Sequence, residues 1–135
     1  MHDSSYEKME AFVRVHLRAL RGQSLDELNF GSQTVTEGHR SYRTLFDDPA
    51  WHYRGLDISP GAHVDIVVED PHCWREVEPE SVDLVVSGQA FEHVEYMWAS
   101  MFEIVRVLRP GGLAVVIAPS SGPEHRFPVD CWRFY

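Results

Sequence analysis

Five short, mostly apolar segments constrain the fold of this chain more than any other feature. They are Leu25–Phe30 (LDELNF), Tyr53–Ile58 (YRGLDI), Val64–Val68 (VDIVV), Ser81–Ser87 (SVDLVVS) and Leu113–Ala118 (LAVVIA). Short segments of this kind, bounded by Gly, Pro, Asp or Ser, are typical of β-strands. The first is unusually polar, whereas the LVV run of the fourth is apolar on both faces, as strands inside a parallel sheet are.

Helical patterns alternate with these strands. Apolar residues at spacings of three and four predict an amphipathic helix from Ser4 to Leu20 and another from Trp98 to Leu108. Arg109-Pro110-Gly111-Gly112 is expected to stop the second helix, and a short helix is expected at 39–46. Strands that alternate with helices pair in parallel through right-handed crossovers. The sequence therefore predicts an α/β fold with a doubly wound, mostly parallel sheet and helices on both faces.

Charge and composition exclude several classes of function. The chain has 135 residues, which suggests one domain, and a formal net charge of −9. This charge argues against a nucleic-acid partner and against an anionic membrane surface, since both need a basic face. No apolar run is long enough to predict a membrane span. With two cysteines outside any disulfide or zinc pattern and no recognisable signal peptide, we expect a cytoplasmic protein.

Glycine and acidic residues occupy the ends of three successive strands. Gly31 follows the first strand, Asp57 ends the second and Asp70 follows the third. Each alone would be read as an ordinary turn residue. Together they lie at the carboxyl edge of a parallel sheet, where ligands bind and where an acid after the second strand accepts ribose hydroxyls. A second acid one strand further out would accept from the adenine amine, so the order predicts an adenosine-containing ligand.

The same segments resemble a known family. LNFGSQ, YRGLDISPG, VDIVVEDP, SVDLVVSGQAFEHV and VLRPGGLAVVIAPS follow one another as the motifs of class I S-adenosylmethionine-dependent methyltransferases do, and the chain resembles type 11 methyltransferase domains in particular. The resemblance covers about residues 26–135. It implies a Rossmann-like fold and S-adenosylmethionine as cofactor, with S-adenosylhomocysteine as product. It also implies methyl transfer by direct displacement to a small-molecule or sugar-like acceptor.

By this resemblance the cofactor lies across the ends of four strands. The turn after the first strand holds its methionine end, and the end of the second holds the ribose and adenine. Residues after the third strand meet the adenine amine, and those ending the fourth lie near the methyl group. In chain order these residues are Gly31, Ser32 and Gln33; Asp57 and Ile58; Asp70 and Pro71; and Ser87, Gly88 and Gln89. Their acidic character suits a cofactor whose sulfonium and amino groups are cationic.

Histidines after the fourth and fifth strands are the candidate catalytic residues. A hydroxyl acceptor needs a base, and His suits that role near neutral pH. His93 is the first candidate, with Glu92 to orient it, and His125 is the second. The alternatives are that His93 packs the start of the next helix and that His125 is a solvated loop residue. No metal site is expected, since no metal-binding motif occurs.

The role of Trp74 is open, and two aromatic residues of the last helix are predicted to be structural. Trp74 could cover the adenine or fill the edge of the sheet. Trp98 and Phe102, four apart, are expected in the core. Met101, Phe102, Ile104, Val105 and Leu108 are accordingly predicted to face inward from the last helix.

Departures from the family pattern leave other functions possible. Asn29 stands where the family usually has an acid and Gln33 where it usually has a second glycine, and Asp26 and Glu27 make the first strand more polar than usual. These departures favour a non-catalytic S-adenosylmethionine- or S-adenosylhomocysteine-binding module, or a truncated paralogue. An NAD-dependent oxidoreductase would share the sheet and the ribose acid. It would also need a G-x-G-x-x-G motif after the first strand, which is missing.

The domain is expected to have three parts. These are an N-terminal helix at 1–22, a cofactor-binding core at 26–118, and an acceptor-side loop or truncated end at 119–135. Family members usually continue past the fifth strand with a helix and an antiparallel hairpin, which we expect to be missing here. An uncovered edge strand invites association, so pairing with a second copy would cover the open sheet edge.

Overall fold

The computed structural model describes residues 3–34, 40–124, 126 and 129–135. Its centre is a five-stranded sheet in which all four neighbouring pairs are parallel. The strands are β1 (Leu25–Phe30), β2 (Trp51–Asp57), β3 (Ile66–Val67), β4 (Val82–Gly88) and β5 (Leu108–Ile117), in the order β3-β2-β1-β4-β5. This confirms the predicted α/β fold with its doubly wound sheet.

Helices cover both faces of the sheet. The two α-helices are α1 (Asp3–His16) and α2 (Met97–Val107), and 3₁₀ turns occur at Arg18–Leu20, Tyr42–Leu45 and Phe91–His93. One core cluster packs α1 and the second 3₁₀ turn on the sheet, and the other packs α2 and the third turn on its opposite face. Within the described part of the chain, no helix combines the length and apolar character needed to cross a membrane.

Alternation along the strands separates the two clusters. In β4, Leu84 and Val86 belong to the α1 side, and Val85 between them belongs to the α2 side. Successive side chains of a strand point to opposite faces, so an apolar run such as LVV supplies both cores at once. This is the physical reason that the middle of β4, residues 84–86, is entirely apolar.

Several element bounds differ from the sequence-based expectation. Helix α1 ends at His16, and a 3₁₀ turn carries the chain to Leu20. The third strand is only Ile66–Val67. Of the short helix expected at 39–46, only Tyr42–Leu45 is helical, as a 3₁₀ turn, and residue 39 lies outside the described residues.

The Arg109–Gly112 turn lies inside β5 rather than between helix and strand. Val82 pairs with Leu108, and Leu84, two positions later, pairs with Leu113. The four residues Arg109–Gly112 therefore project from β5 opposite a single residue of β4. Gly111 has φ 85°, a conformation that favours glycine. The sequence predicted a turn between helix and strand here, whereas the structure has an irregularity within a strand that already begins at Leu108.

Candidate functional site

The strand order reverses between β1 and β4, which are neighbours in the sheet although two strands separate them in sequence. The turn after β1 folds over the end of β2 at this point. The N–H groups of Gly31 and Ser32 both donate to the carbonyl oxygen of Leu56, at 2.9 and 3.2 Å. A parallel α/β sheet binds its ligands at such a reversal, beyond the carboxyl ends of the strands.

Gly31 cannot carry a side chain in this turn. Its φ is 78°, and a Cβ atom added there would lie 2.3 Å from the Cβ of Ala90. Ala90 follows β4, so the two turns that flank the reversal are in direct contact. Glycine is required by both the backbone conformation and the close approach.

Asp57 joins the second strand to the glycine turn. Its Oδ2 accepts a hydrogen bond from the backbone N–H of Gln33 at 2.9 Å, and its Oδ1 accepts one from the N–H of Ile58 at 2.8 Å. The Gln33 side chain donates to the carbonyl oxygen of Pro60 at 3.2 Å. The structure thus brings together two of the predicted groups, the Gly31–Gln33 turn and the Asp57 carboxylate.

Asp70 lies after β3, beside the same edge of the sheet. The segment starts with Val68, whose N–H donates to the carbonyl oxygen of Asp57 at 3.0 Å. The side chain of Asp70 is 55% exposed, and its Oδ1 lies 2.8 Å from both the backbone nitrogen and Nδ1 of His72. The backbone N–H of His72 lowers the pKa of Asp70, so this carboxylate is negatively charged at neutral pH.

The end of β4 carries Ser87 and Gly88, followed by Gln89, and the Ser87 hydroxyl is hydrogen-bonded inside the sheet. That hydroxyl is fully buried and donates to the carbonyl oxygen of Phe30 at 2.9 Å, so it ties β4 to β1. A Cβ atom at Gly88 would lie 2.0 Å from the hydroxyl oxygen of Tyr42. Gln89 has φ 59°, and its backbone N–H donates to the carbonyl oxygen of Ile117 at 2.8 Å.

Two catalytic candidates, Glu92 and His93, lie beneath the C-terminal segment, residues 129–135. Nδ1 of His93 contacts the carbonyl oxygen of Val129, and Nε2 lies 3.9 Å from Oε1 of Glu92, longer than a hydrogen bond. The side chain of His93 is 14% exposed and that of Glu92 is fully buried. The roles assigned to both residues stay predictions. His125, the other candidate, lies outside the described residues.

Sequence reasoning missed the contribution of Tyr42 to this edge of the sheet. Tyr42 is buried against Gly88, and its hydroxyl lies 2.6 Å from the Ser5 hydroxyl of α1. No motif marks this residue, and the signal available was an aromatic side chain in an otherwise polar segment. The departure at Asn29 also has a local explanation, since its Nδ2 donates to the Tyr53 hydroxyl at 2.6 Å.

The comparisons with known proteins agree with this geometry. A family model described as a methyltransferase domain matches residues 37–116, more than half of the chain. The chain belongs to this family. It is 30% identical over 105 residues to an uncharacterized methyltransferase of Mycolicibacterium paratuberculosis, a match that covers 67% of this chain and 41% of that protein. The chain thus spans about two fifths of the length of the curated relatives it matches.

Solved methyltransferase structures share the fold of this domain. A putative S-adenosyl-L-methionine-dependent methyltransferase from Methanococcus maripaludis superimposes with a TM-score of 0.57 at 17% identity, covering 86% of this chain and 63% of that one. The MycE methyltransferase of the mycinamycin biosynthetic pathway, in complex with Mg, SAH and mycinamycin VI, gives a TM-score of 0.59 at 22% identity. That match covers 78% of this chain and 32% of MycE. At these identities the likeness establishes the fold.

Proposed function

We propose that this domain binds S-adenosylmethionine across the ends of β1 to β4 and transfers its methyl group to a small-molecule or sugar-like acceptor by direct displacement. The observation that carries the proposal is the 2.9 Å hydrogen bond from the Gln33 N–H to Oδ2 of Asp57. It unites a glycine turn and a carboxylate where the strand order reverses. Family membership and the S-adenosylhomocysteine complex of MycE support the choice of cofactor.

The residues at this edge fit an adenosine ligand with a cationic end. Each oxygen of Asp57 accepts one backbone N–H, and a carboxylate oxygen has a second acceptor position for a ribose hydroxyl. The exposed carboxylate of Asp70 is suited to an adenine amine. Because Gly31 lacks a side chain, the turn packs against Ala90, and its backbone stays at the edge of the sheet.

When bound, S-adenosylmethionine supplies a methyl group on a sulfonium sulfur, which keeps the electron pair of the broken bond. The protein has to hold the acceptor in line with that methyl group. His93 is the first candidate for the base that a hydroxyl acceptor needs, and His125 is the second. The carbonyl oxygen of Val129 accepts the Nδ1–H of the His93 imidazole, so the neutral ring carries its basic lone pair on Nε2.

A second candidate function is a cofactor-binding module without catalysis. The N–H groups of Cys131 and Trp132 donate to the carbonyl oxygen of Glu92 at 2.7 and 3.2 Å, so the C-terminal segment covers the residues around His93. Beneath this segment the His93 side chain is only 14% exposed, which favours a protein that binds the cofactor without using His93 as a base.

Calorimetry with S-adenosylmethionine, S-adenosylhomocysteine and NAD tests the cofactor assignment. The first two should bind and NAD should not. Asp57→Ala should weaken S-adenosylhomocysteine binding by about tenfold or more, because ribose hydroxyls lose a charged acceptor. Asp26→Ala is the matched control, since Asp26 pairs with Arg109 and His52 and lies at the opposite end of β1 from the glycine turn. Wild-type affinity in Asp57→Ala, or binding of NAD alone, would overturn the proposal.

Methyl transfer to a panel of hydroxylated acceptors separates the two candidate functions. A methyltransferase that uses His93 should lose transfer in His93→Gln and keep its affinity for S-adenosylhomocysteine. Cofactor binding without transfer to any acceptor would favour the non-catalytic module.

A further inference from the structure

Residues 68–81 connect β3 to β4 without a helix or strand of their own and include Asp70 and Pro71. The backbone polar groups of such a segment need partners from elsewhere. Two side chains meet at the carbonyl oxygen of Pro71, which accepts the Oγ–H of Ser100 at 2.7 Å and the indole N–H of Trp74 at 2.8 Å. The buried α2 side chain of Ser100 therefore holds the residue next to Asp70.

Two further side chains of α2 bind the same segment. Oε2 of Glu103 accepts the backbone N–H of Trp74 at 2.7 Å. The guanidinium of Arg106 donates to the carbonyl oxygens of Trp74 and Val77, at 2.7 and 3.0 Å. Trp74 is fully buried, and its ring centroid lies 4.8 Å from that of Phe30, at the end of β1. Through Trp74, α2 fixes the segment against the strand that leads into the glycine turn.

Glu103 and Arg106 also form a closed ion pair. Nε of Arg106 lies 3.0 Å from Oε1 of Glu103, and Nη2 lies 2.7 Å from Oε2. The side chains are 15% and 31% exposed. Two-point, charge-assisted contacts of this kind fix geometry as well as adding energy. Ser100, Glu103 and Arg106, here called the α2 clamp, thus grip residues 71–77 at four backbone atoms.

Asp70 is also tied to the residues that precede α2. The backbone N–H of Tyr96 donates to Nε2 of His72 at 3.2 Å, which makes Nδ1 the protonated nitrogen. That Nδ1–H donates to Oδ1 of Asp70. One oxygen of Asp70 is thereby oriented, and the carboxylate presents its exposed part to the solvent side of the segment.

We infer that the α2 clamp consists of positioning residues, which hold Asp70 at the adenine end of the cofactor site and so determine recognition of the adenine amine. The inference rests on the proposed function. Ser100, Glu103 and Arg106 act through the backbone of 71–77 and do not themselves touch the cofactor. Loosening the clamp should therefore change selectivity for the amine more than it changes affinity for the rest of the molecule.

Calorimetry with two ligands measures this selectivity. S-adenosylhomocysteine carries the adenine amine, and S-inosylhomocysteine carries a carbonyl oxygen in its place. The wild-type protein should prefer the first by about tenfold or more, because Asp70 accepts from the amine and repels the oxygen. Glu103→Gln and Arg106→Lys should each reduce that ratio at least about threefold while S-inosylhomocysteine affinity changes by less than about twofold. Ser100→Ala is a milder third variant.

Arg109→Lys is the matched control. Arg109 also makes a two-partner ion pair, with Asp26 and Asp83, and both of these partners lie outside 71–77. Its substitution should leave the ratio unchanged. In an Asp70→Asn background, Glu103→Gln should have no further effect on the ratio.

Four outcomes would overturn the inference. Equal loss of both affinities in the clamp variants would mean a general structural role, and the same would follow if Arg109→Lys reduced the ratio as much. A wild-type ratio near one would remove Asp70 from the adenine and leave the proposed function standing. Failure of wild-type protein to bind S-adenosylhomocysteine at all would overturn the proposed function, and the inference with it.

Discussion

Glu27 and Tyr53 are register partners on β1 and β2. The Glu27 side chain is fully buried, and neither carboxyl oxygen has a hydrogen-bond partner among the described residues. Burial raises the pKa of Glu27 to about 8. Burial also raises the pKa of Tyr53, whose hydroxyl accepts from Asn29. At neutral pH the sheet therefore contains a protonated carboxylic acid on its α1 face.

Glu27 should make stability depend on pH near neutrality. Its pKa is raised on folding from 4.5 to about 8, so the folded state binds the proton more tightly. Its contribution is complete below about pH 4.5 and is lost as pH rises towards 8. The free energy of unfolding should fall by roughly 2 kcal/mol between pH 5 and pH 7. Urea denaturation across this range measures the slope.

Glu27→Gln should flatten that slope, since the amide does not titrate. Glu7→Gln, on the exposed side of α1, is the control that should retain it. An unchanged slope in Glu27→Gln would show that another group titrates.

Gly31→Ala should destabilise the domain by about 2 kcal/mol or more. The new Cβ atom would overlap that of Ala90, and the positive φ adds strain. Thermal and urea unfolding measure the loss.

Two further variants separate the causes of that loss. Gly111→Ala has a similar φ, 85°, with nothing within 4 Å of the added atom, so it reports the backbone strain alone. Ala90→Gly in the Gly31→Ala background removes the overlap and should recover the remainder. No recovery would mean that Ala90 does not limit this turn.

The strand pattern was the reliable part of the sequence. The first strand has the predicted bounds, Leu25–Phe30, and the carboxyl ends of β1 and β2 converge as topology requires. The positions of the glycine turn and of the Asp57 carboxylate could be predicted, because the carboxyl ends of parallel strands lie at the same edge of the sheet. The direction of individual side chains could not be predicted, since nothing in the sequence shows that the Ser87 hydroxyl donates to the carbonyl oxygen of Phe30.

Helix α2 shows a second limit. The prediction that Trp98, Met101, Phe102 and Val105 face inward was wrong, since they are 50%, 39%, 74% and 69% exposed. Ile104 is buried as predicted. Apolar residues surround much of this helix, so periodicity does not identify its buried face. Trp74, left open by the sequence, is a core residue.

The Ser5 and Tyr42 hydroxyls should be energetically coupled. They lie 2.6 Å apart in a buried contact between α1 and the 3₁₀ turn at Tyr42–Leu45. Ser5→Ala and Tyr42→Phe should each lower the free energy of unfolding by about 1 kcal/mol or more, because each leaves the other hydroxyl without this bond. The double variant should lose less than the sum, by about 0.5 kcal/mol or more, since the shared bond is removed once. Urea denaturation of all four proteins gives the cycle. Strict additivity would show that the two hydroxyls stabilise the domain independently, and the 3.4 Å contact from the Tyr42 hydroxyl to the Ser5 carbonyl oxygen would then be the polar link between this residue and α1.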